Sequence, residues 1–178
     1  MAFITLNIGK LKTNFEFLNK LFKEREIEWS VVSKLLCGNR DYLQELLKFD
    51  ISQICDSRVT NLKNVKQINP NVETIYIKPP AKRAVKSIVQ YADISMNTEF
   101  ETIKLLSNEA QKQNKVHKII IMIELGELRE GIMRDDLIDF YFSVFNLKNI
   151  EVVGIGTNLS CLYGVLPNHD KLIQLSLF

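Results

Sequence analysis

Lys34 occupies the place in this sequence best suited to covalent chemistry. It directly follows residues 27–33, a segment rich in β-branched residues that predicts a β-strand. Where strands alternate with helices, functional side chains gather at the C-terminal ends of the strands. Desolvation there would favour the neutral amine, which is the nucleophile in Schiff-base chemistry. A solvated lysine, or one held in a structural ion pair, is the alternative.

Arg129 is the second candidate, and it suits an anionic ligand. It stands in the segment ELGELREG, after the fifth predicted strand and between Gly126 and Gly131. The glycines allow tight turns that could aim the guanidinium at the strand ends. Its planar donors would match a phenolate, carboxylate or phosphate oxygen. An ion pair with Glu127 or Glu130 explains the residue equally well.

Other polar residues follow the remaining predicted strands, and the strand-end rule makes them candidate ligand contacts. They are Cys37, Gly38 and Asn39 after the first strand, Asp56, Ser57 and Arg58 after the second, Asn97 and Thr98 after the fourth, and Thr157, Asn158, Tyr163 and Gly164 after the sixth.

Residue spacing argues against a metal or redox site. Cys37, Cys55 and Cys161 fit no zinc or redox spacing, and we expect them to be reduced thiols. His117 and His169 have no partner at metal-ligand spacing, so no metal is expected. Because His117 comes just before an apolar strand, we expect it at the surface.

Composition and charge narrow the class of protein. The 178 residues are 46% hydrophobic and 25% charged, which excludes a wholly disordered chain. A net charge of +2 gives no reason to expect a nucleic-acid partner. The chain has no apolar run of the roughly 18 residues that a membrane helix needs, and the N-terminus turns polar at Asn7. We therefore expect a cytoplasmic protein.

Six short segments rich in β-branched residues alternate with stretches of helical periodicity. They cover residues 27–33, 52–55, 74–77, 92–96, 118–124 and 152–157, with a further short strand expected at 3–6 and a last helix starting near Asn168. Strand–helix alternation of this kind predicts an α/β fold with a parallel sheet. No linker divides the chain, so we expect a single domain over residues 1–178.

The number of units leaves two architectures open. Six βα units are two fewer than a closed eight-stranded barrel, which typically has about 250 residues. The chain ends on apolar Phe178, whereas domains more often end in a polar segment. A fragment of a longer barrel and a complete six-stranded open sheet explain the pattern equally well.

Five segments in order resemble a known enzyme family. They are WSVVSKLLCGN (29–39), ICDSRVTNLK (54–63), ADISMNTEFETIK (92–104), KVHKIIIMIELGELREGI (115–132) and VVGIGTNLSCLYGVLP (152–167). Together they resemble the alanine/ornithine racemase family of pyridoxal 5'-phosphate (PLP) dependent, fold-type III enzymes, most closely its ornithine-racemase-like branch. The resemblance implies a (β/α) TIM-type barrel, that of the alanine racemase N-terminal domain, here with about six of its eight βα units.

The resemblance also implies site residues and a cofactor, PLP. Lys34 matches the lysine that forms the Schiff base with PLP and then acts as one of two catalytic bases. Arg129 matches the arginine that hydrogen-bonds the phenolic oxygen of the cofactor, and Thr157 and Asn158 would complete the contacts. Asn158 stands where alanine racemases have a histidine, and Gly38 where they have a tyrosine that reaches the phosphate.

The expected activity is racemisation of a small amino acid. Ornithine is the first candidate substrate because the resemblance is to the ornithine-racemase-like branch, and alanine, lysine and serine are the other candidates. In the family the phosphate-binding loops come from the last two barrel strands and a second base from a later domain. We therefore expect weak or no activity from this polypeptide alone. We also expect self-association, such as a homodimer, through the exposed edges of the first and sixth strands and the apolar face of the final helix. The alternatives are a non-catalytic PLP-binding protein and a cofactor-free α/β interaction module.

Overall fold

The computed structural model describes residues 5–161 and 164–177, and these alternate between strands and helices. The strands are β1 (Val31–Val32), β2 (Gln53–Asp56), β3 (Glu73–Tyr76), β4 (Ile94–Asn97), β5 (His117–Met122) and β6 (Ile150–Gly156). The α-helices are α1 (Ile8–Lys23), α2 (Arg40–Leu46), α3 (Val59–Ile68), α4 (Val85–Tyr91), α5 (Phe100–Lys112), α6 (Leu137–Phe145) and α7 (His169–Ser176). Short 3₁₀ turns cover Lys34–Leu36, Lys82–Ala84 and Arg134–Asp136.

The strands form one six-stranded sheet in the order β1-β2-β3-β4-β5-β6. Parallel pairing joins β1 to β2, β4 to β5 and β5 to β6. This arrangement confirms the predicted α/β class and all six main strands. Of the extra strand expected at 3–6, Thr5 and Leu6 are in no strand, and residues 3 and 4 lie outside the described residues, as does Tyr163.

The first strand is much shorter than the sequence predicts. Of the segment 27–33, only Val31 and Val32 pair with β2. Trp29, in the middle of that segment, packs between two rings of α1, with ring centroids 5.5 Å from Phe15 and 5.6 Å from Phe22. Aromatic packing, rather than a hydrogen-bonded ladder, therefore accounts for Trp29.

The chain divides into two compact units, residues 1–75 and 76–178. The core of the first unit consists of Leu43, Leu46, Ile54, Val65 and Val72. The core of the second unit is centred on Ile119, Ile121 and Ile123, on alternate positions along and just beyond β5. A single domain over residues 1–178 stays a prediction.

His117 is not a surface residue, and that expectation is wrong. It is the first residue of β5 rather than the residue before it, and it is only 2% exposed. Its Nε2 lies 2.8 Å from the Ser95 hydroxyl on the neighbouring strand, so the buried ring has a partner. Burial lowers the pKa of His117 to about 4, with the carboxylate of Asp93 opposing the shift and Lys115 adding to it.

The described residues contain neither a membrane-spanning helix nor a cluster of metal ligands. None of the helices there combines the length and the apolar character that crossing a membrane requires. That part of the chain also contains no group of three or more metal-ligating side chains.

Candidate active site

Lys34 begins the 3₁₀ turn that directly follows β1 and Ser33. Its side chain is exposed, so the expected desolvation is wrong for the structure as described. The physical reason is the turn, which carries the chain away from the strand immediately after the buried Ser33. Among the described residues Lys34 has no ion-pair partner, and its exposure matches the alternative of a solvated lysine.

The turn that carries Lys34 rests on polar groups at the end of β2. Asp56, the last residue of β2, is fully buried and accepts a hydrogen bond of 2.9 Å from the Ser33 hydroxyl. The neighbouring Cys55 is also buried, and burial raises the pKa of its thiol, with the Asp56 carboxylate acting in the same direction and a hydrogen bond with Ser30 opposing it. All three cysteines are free thiols, as predicted, and Cys55 is kept in the protonated form.

Gly38 ends this turn in a conformation that explains the departure from the alanine racemase pattern. Its φ is +72°, in the region that glycine adopts readily. A Cβ there would lie 2.5 Å from Oδ1 of Asn61 and 3.0 Å from its Cγ. A tyrosine at this position would therefore collide with α3, so any phosphate contact has to come from elsewhere.

Arg129 and Asn158 meet at one carboxylate in the second unit. The Arg129 Nε is 3.1 Å from Glu130 Oε2, and the Asn158 amide donates to Glu130 Oε1 at 2.5 Å. The side chain of Glu130 is 11% exposed and that of Arg129 is 32% exposed, so this bridge is only partly shielded from water. The structure thus brings together two predicted site residues, and it confirms the ion pair with Glu130 as one of the explanations open for Arg129.

The loop that carries Arg129 folds tightly, as its glycines predict. At Gly131 the φ is +144°, and a Cβ would lie 2.4 Å from the backbone nitrogen of Glu124. Position 131 can therefore accommodate only glycine, because any side chain would collide with the backbone of Glu124.

Glu127 is a structural residue that sequence reasoning missed. It is 1% exposed and accepts hydrogen bonds from the backbone N–H groups of Cys161 at 3.0 Å and Val165 at 3.2 Å. The carboxylate therefore ties the segment after β6 to the loop after β5. The sequence offered no signal for this role, because an acidic residue beside Arg129 suggested an ion pair instead.

The Thr157 hydroxyl oxygen, just after β6, is buried and without a hydrogen-bond partner among the described residues. Buried polar groups are normally satisfied, so such a hydroxyl fits a site that a ligand completes. Taken one by one, the candidate residues have chemistry that PLP could use: an exposed primary amine at Lys34 suits an aldehyde, and the guanidinium of Arg129 and the hydroxyl of Thr157 suit anionic oxygens. Lys34 lies in the first unit, and Arg129, Thr157 and Asn158 lie in the second.

Comparison with known protein families shows the family to which this chain belongs. The family described as alanine racemase, N-terminal domain, matches residues 6–178. The chain belongs to this family. The ornithine racemase of Acetoanaerobium sticklandii is 39% identical over 173 residues, which are 97% of this chain and 48% of that protein. The lysine racemase of Thermotoga maritima is 24% identical over 168 residues, or 94% of this chain and 47% of that protein.

The chain spans about half the length of these curated relatives. Among solved structures, PipY of Synechococcus elongatus shares 13% identity and the fold. Its form without PLP matches with a TM-score of 0.75 over 91% of this chain and 78% of PipY. Its form with PLP bound matches with a TM-score of 0.67 over 88% of this chain and 74% of PipY. These matches confirm the predicted fold of the alanine racemase N-terminal domain.

Proposed function

We propose that this chain works in a PLP-dependent amino-acid racemase that acts on ornithine. The observation that carries the proposal is Lys34, an exposed primary amine fixed on a turn directly after the first strand of the sheet. The identity of 39% to an ornithine racemase over almost the whole chain supports the choice of substrate. Lysine and alanine follow as candidates because the relatives include enzymes named for them, and serine stays open.

Lys34 would hold the cofactor covalently through Nζ. When bound, PLP supplies the electron sink that stabilises negative charge at the α-carbon of the substrate. The Nζ of Lys34 would also serve as a general base that takes the α-proton of the substrate from one face.

Arg129, Thr157 and Asn158 would orient the cofactor. Glu130 engages the Nε of Arg129, which leaves the two terminal NH₂ groups to donate to the phenolic oxygen. The Asn158 NH₂ is used by Glu130, so Asn158 offers its carbonyl oxygen as an acceptor. The Thr157 hydroxyl would gain a hydrogen-bond partner, which none of the described residues supplies.

Racemisation also needs a base on the opposite face of the substrate. The resemblance assigns that base, and the phosphate-binding loops, to parts of the family's proteins that follow the matched segments. We therefore expect the 178-residue polypeptide to bind PLP and to exchange the α-hydrogen of its substrate slowly or not at all.

We also propose that the chain self-associates. Four side chains on α6, namely Ile138, Tyr141, Phe142 and Phe145, are between 38% and 69% exposed and recur at helical spacing. An apolar stripe of this kind is typical of a contact surface. A sedimentation experiment that finds only monomer at high concentration would contradict it.

The test of the function is deuterium uptake at the α-carbon in D₂O with PLP present. Ornithine should exchange faster than lysine, alanine or serine, and Lys34→Ala should abolish the exchange. The assay should be run on this polypeptide and on a version extended to the length of the relatives. If the extended version takes up no deuterium from any of the four amino acids, the racemase proposal fails. PLP bound at Lys34 without exchange would instead favour a non-catalytic PLP-binding protein.

A further inference from the structure

We propose that Asp56 is a positioning residue for Lys34, because it fixes both ends of the turn, residues 33–38, that carries this lysine. The inference deepens the proposed function and rests on it. It assigns a role to a buried carboxylate that would otherwise have none.

Asp56 is a buried carboxylate with neutral partners. It is 0% exposed, and its hydrogen-bond donors within the described part of the chain all belong to uncharged groups. Its Oδ1 accepts from the Arg58 backbone N–H at 2.9 Å, and its Oδ2 accepts from the Ser33 hydroxyl at 2.9 Å. The Asn61 amide donates to both oxygens at 3.2 Å. Burying a carboxylate is costly unless several donors surround it, so these donors are drawn to fixed positions around Asp56.

The first set of contacts, which we call the first arm, runs from Asp56 to Ser33 and fixes the residue just before Lys34. Ser33 is 2% exposed, and besides its side-chain bond to Asp56 its backbone N–H donates to the Cys55 carbonyl at 2.9 Å. The Ser33 carbonyl in turn accepts from the Leu36 N–H at 2.9 Å and starts the turn. Both the backbone and the side chain of Ser33 are therefore held.

The second arm fixes the end of the turn through α3. Because the Asn61 NH₂ faces Asp56, its Oδ1 faces Gly38, close enough that a Cβ on Gly38 would lie 2.5 Å away. Asn64, one helical turn further along α3, donates to the Gly38 carbonyl at 2.9 Å. The carboxylate thus sets the orientation of Asn61, and Asn61 and Asn64 together hold Gly38.

The arrangement fixes the backbone of Lys34 while its side chain stays in solvent. A free lysine side chain samples many rotamers, so its reactivity toward a bound aldehyde depends on where its Cα is held. Without Asp56 the amine would be exposed to the same degree but would no longer be directed to one place. The expected result is a loss of selectivity for Lys34 over the other exposed lysines.

The experiment measures where PLP attaches. The full chain is incubated with PLP and reduced with borohydride, and peptide mapping gives the ratio of adduct on Lys34 to adduct on other lysines. Asp56→Asn keeps the shape but replaces one acceptor oxygen by a donor. We expect it to lower this ratio about tenfold, the order expected when a buried hydrogen-bond network loses an acceptor. Ser33→Ala removes one arm only and should have a smaller effect in the same direction.

Two control variants distinguish a positioning role of Asp56 from a general loss of stability and from the loss of one negative charge. Val72→Ala removes a methyl pair from the same core, just before β3, without touching the turn. Asp50→Asn removes an exposed carboxylate from the same unit. All variants are compared at a temperature at which each is folded by circular dichroism. Both controls should keep the wild-type ratio.

An unchanged ratio in Asp56→Asn overturns the proposal, and so does an equal loss in Val72→Ala. If the wild-type chain shows no preference for Lys34, the proposed function fails. Hydrogen exchange at the Leu36, Cys37 and Asn39 amides then tests the positioning by itself. Asp56→Asn should speed exchange there about tenfold relative to Val72→Ala, in line with the loss of a buried acceptor. Equal exchange in the two variants overturns the positioning role.

Discussion

A carboxylate organises the turn after β1, where Asp56 is fully buried, and another organises the loops after β5 and β6, where Glu130 is partly buried. The two carboxylates differ in how they relate to a nearby cation. Among the described residues, Asp56 accepts hydrogen bonds from neutral donors only, and Lys34 projects into solvent from the turn that Asp56 supports. Glu130 instead forms an ion pair with Arg129 directly and links it to Asn158. This difference suits the roles proposed for the two cations. A nucleophilic amine must be free to react, whereas a guanidinium that orients a ligand benefits from being held.

The largest difference between the two units should appear in their response to pH. Both histidines of the chain lie in the second unit, and the pKa of buried His117 is about 4 against an ordinary value of 6.5. Between these values the unfolded chain binds a proton that the folded chain does not, so stability falls as pH falls from about 6.5 to about 4. The difference between the two pKa values corresponds to about 3 kcal/mol.

Denaturant unfolding followed by hydrogen exchange over pH 4 to 7 measures this effect by region. His117→Gln should remove the dependence, and His169→Gln, which changes an exposed histidine, should leave it intact. A loss of protection concentrated instead in residues 1–75 would contradict the contrast between the units.

Adding a methyl group at Gly38 should destabilise the first unit. Gly38→Ala places a Cβ against Asn61 on a backbone with φ of +72°, and we expect a loss of about 2 kcal/mol in the free energy of unfolding. Gly164 is a matched control, because its φ is +71° and a Cβ there would meet nothing within 4 Å. Gly164→Ala should therefore cost less. Equal losses would show that the contact with Asn61 does not restrain the turn.

The smallest effect should come from the ion pair at Arg129. Glu130→Gln removes the charge but keeps a hydrogen-bonding group, and the Arg129 side chain is 32% exposed. We expect a loss of about 1 kcal/mol or less in the free energy of unfolding, as for partly solvated ion pairs. Glu101→Gln, at an exposed position in the same unit, is the control. If Glu130→Gln lowers the free energy of unfolding no more than Glu101→Gln does, Glu130 does not hold Arg129.

Sequence patterns predicted the strands well because β-branched runs between helical stretches leave few alternatives. They failed where packing overrides local preference. Trp29 looked like part of a strand but packs on α1. His117 looked like a residue outside the strand but is its first buried member, because Ser95 on the neighbouring strand supplies a partner that no local pattern reveals.

The residues of the candidate site were also predictable from the sequence only in part. Lys34, Arg129, Thr157 and Asn158 could be named because strand ends and the family resemblance mark them. Glu127 and Glu130 could be seen only as rivals for Arg129, since their contacts at Cys161, Val165 and Asn158 are more than 25 residues away in sequence. Asp56 was one of several polar residues after the second predicted strand, and its burial, not its type, distinguishes it.

The most direct test of the central claim is the site of PLP attachment. PLP titration of the chain, borohydride reduction and peptide mapping should place the adduct on Lys34. The adduct should disappear in Lys34→Ala and persist in Lys48→Ala, a lysine paired with Glu45 on the surface. An adduct spread evenly over the lysines, or one that survives unchanged in Lys34→Ala, would show that Lys34 does not hold the cofactor.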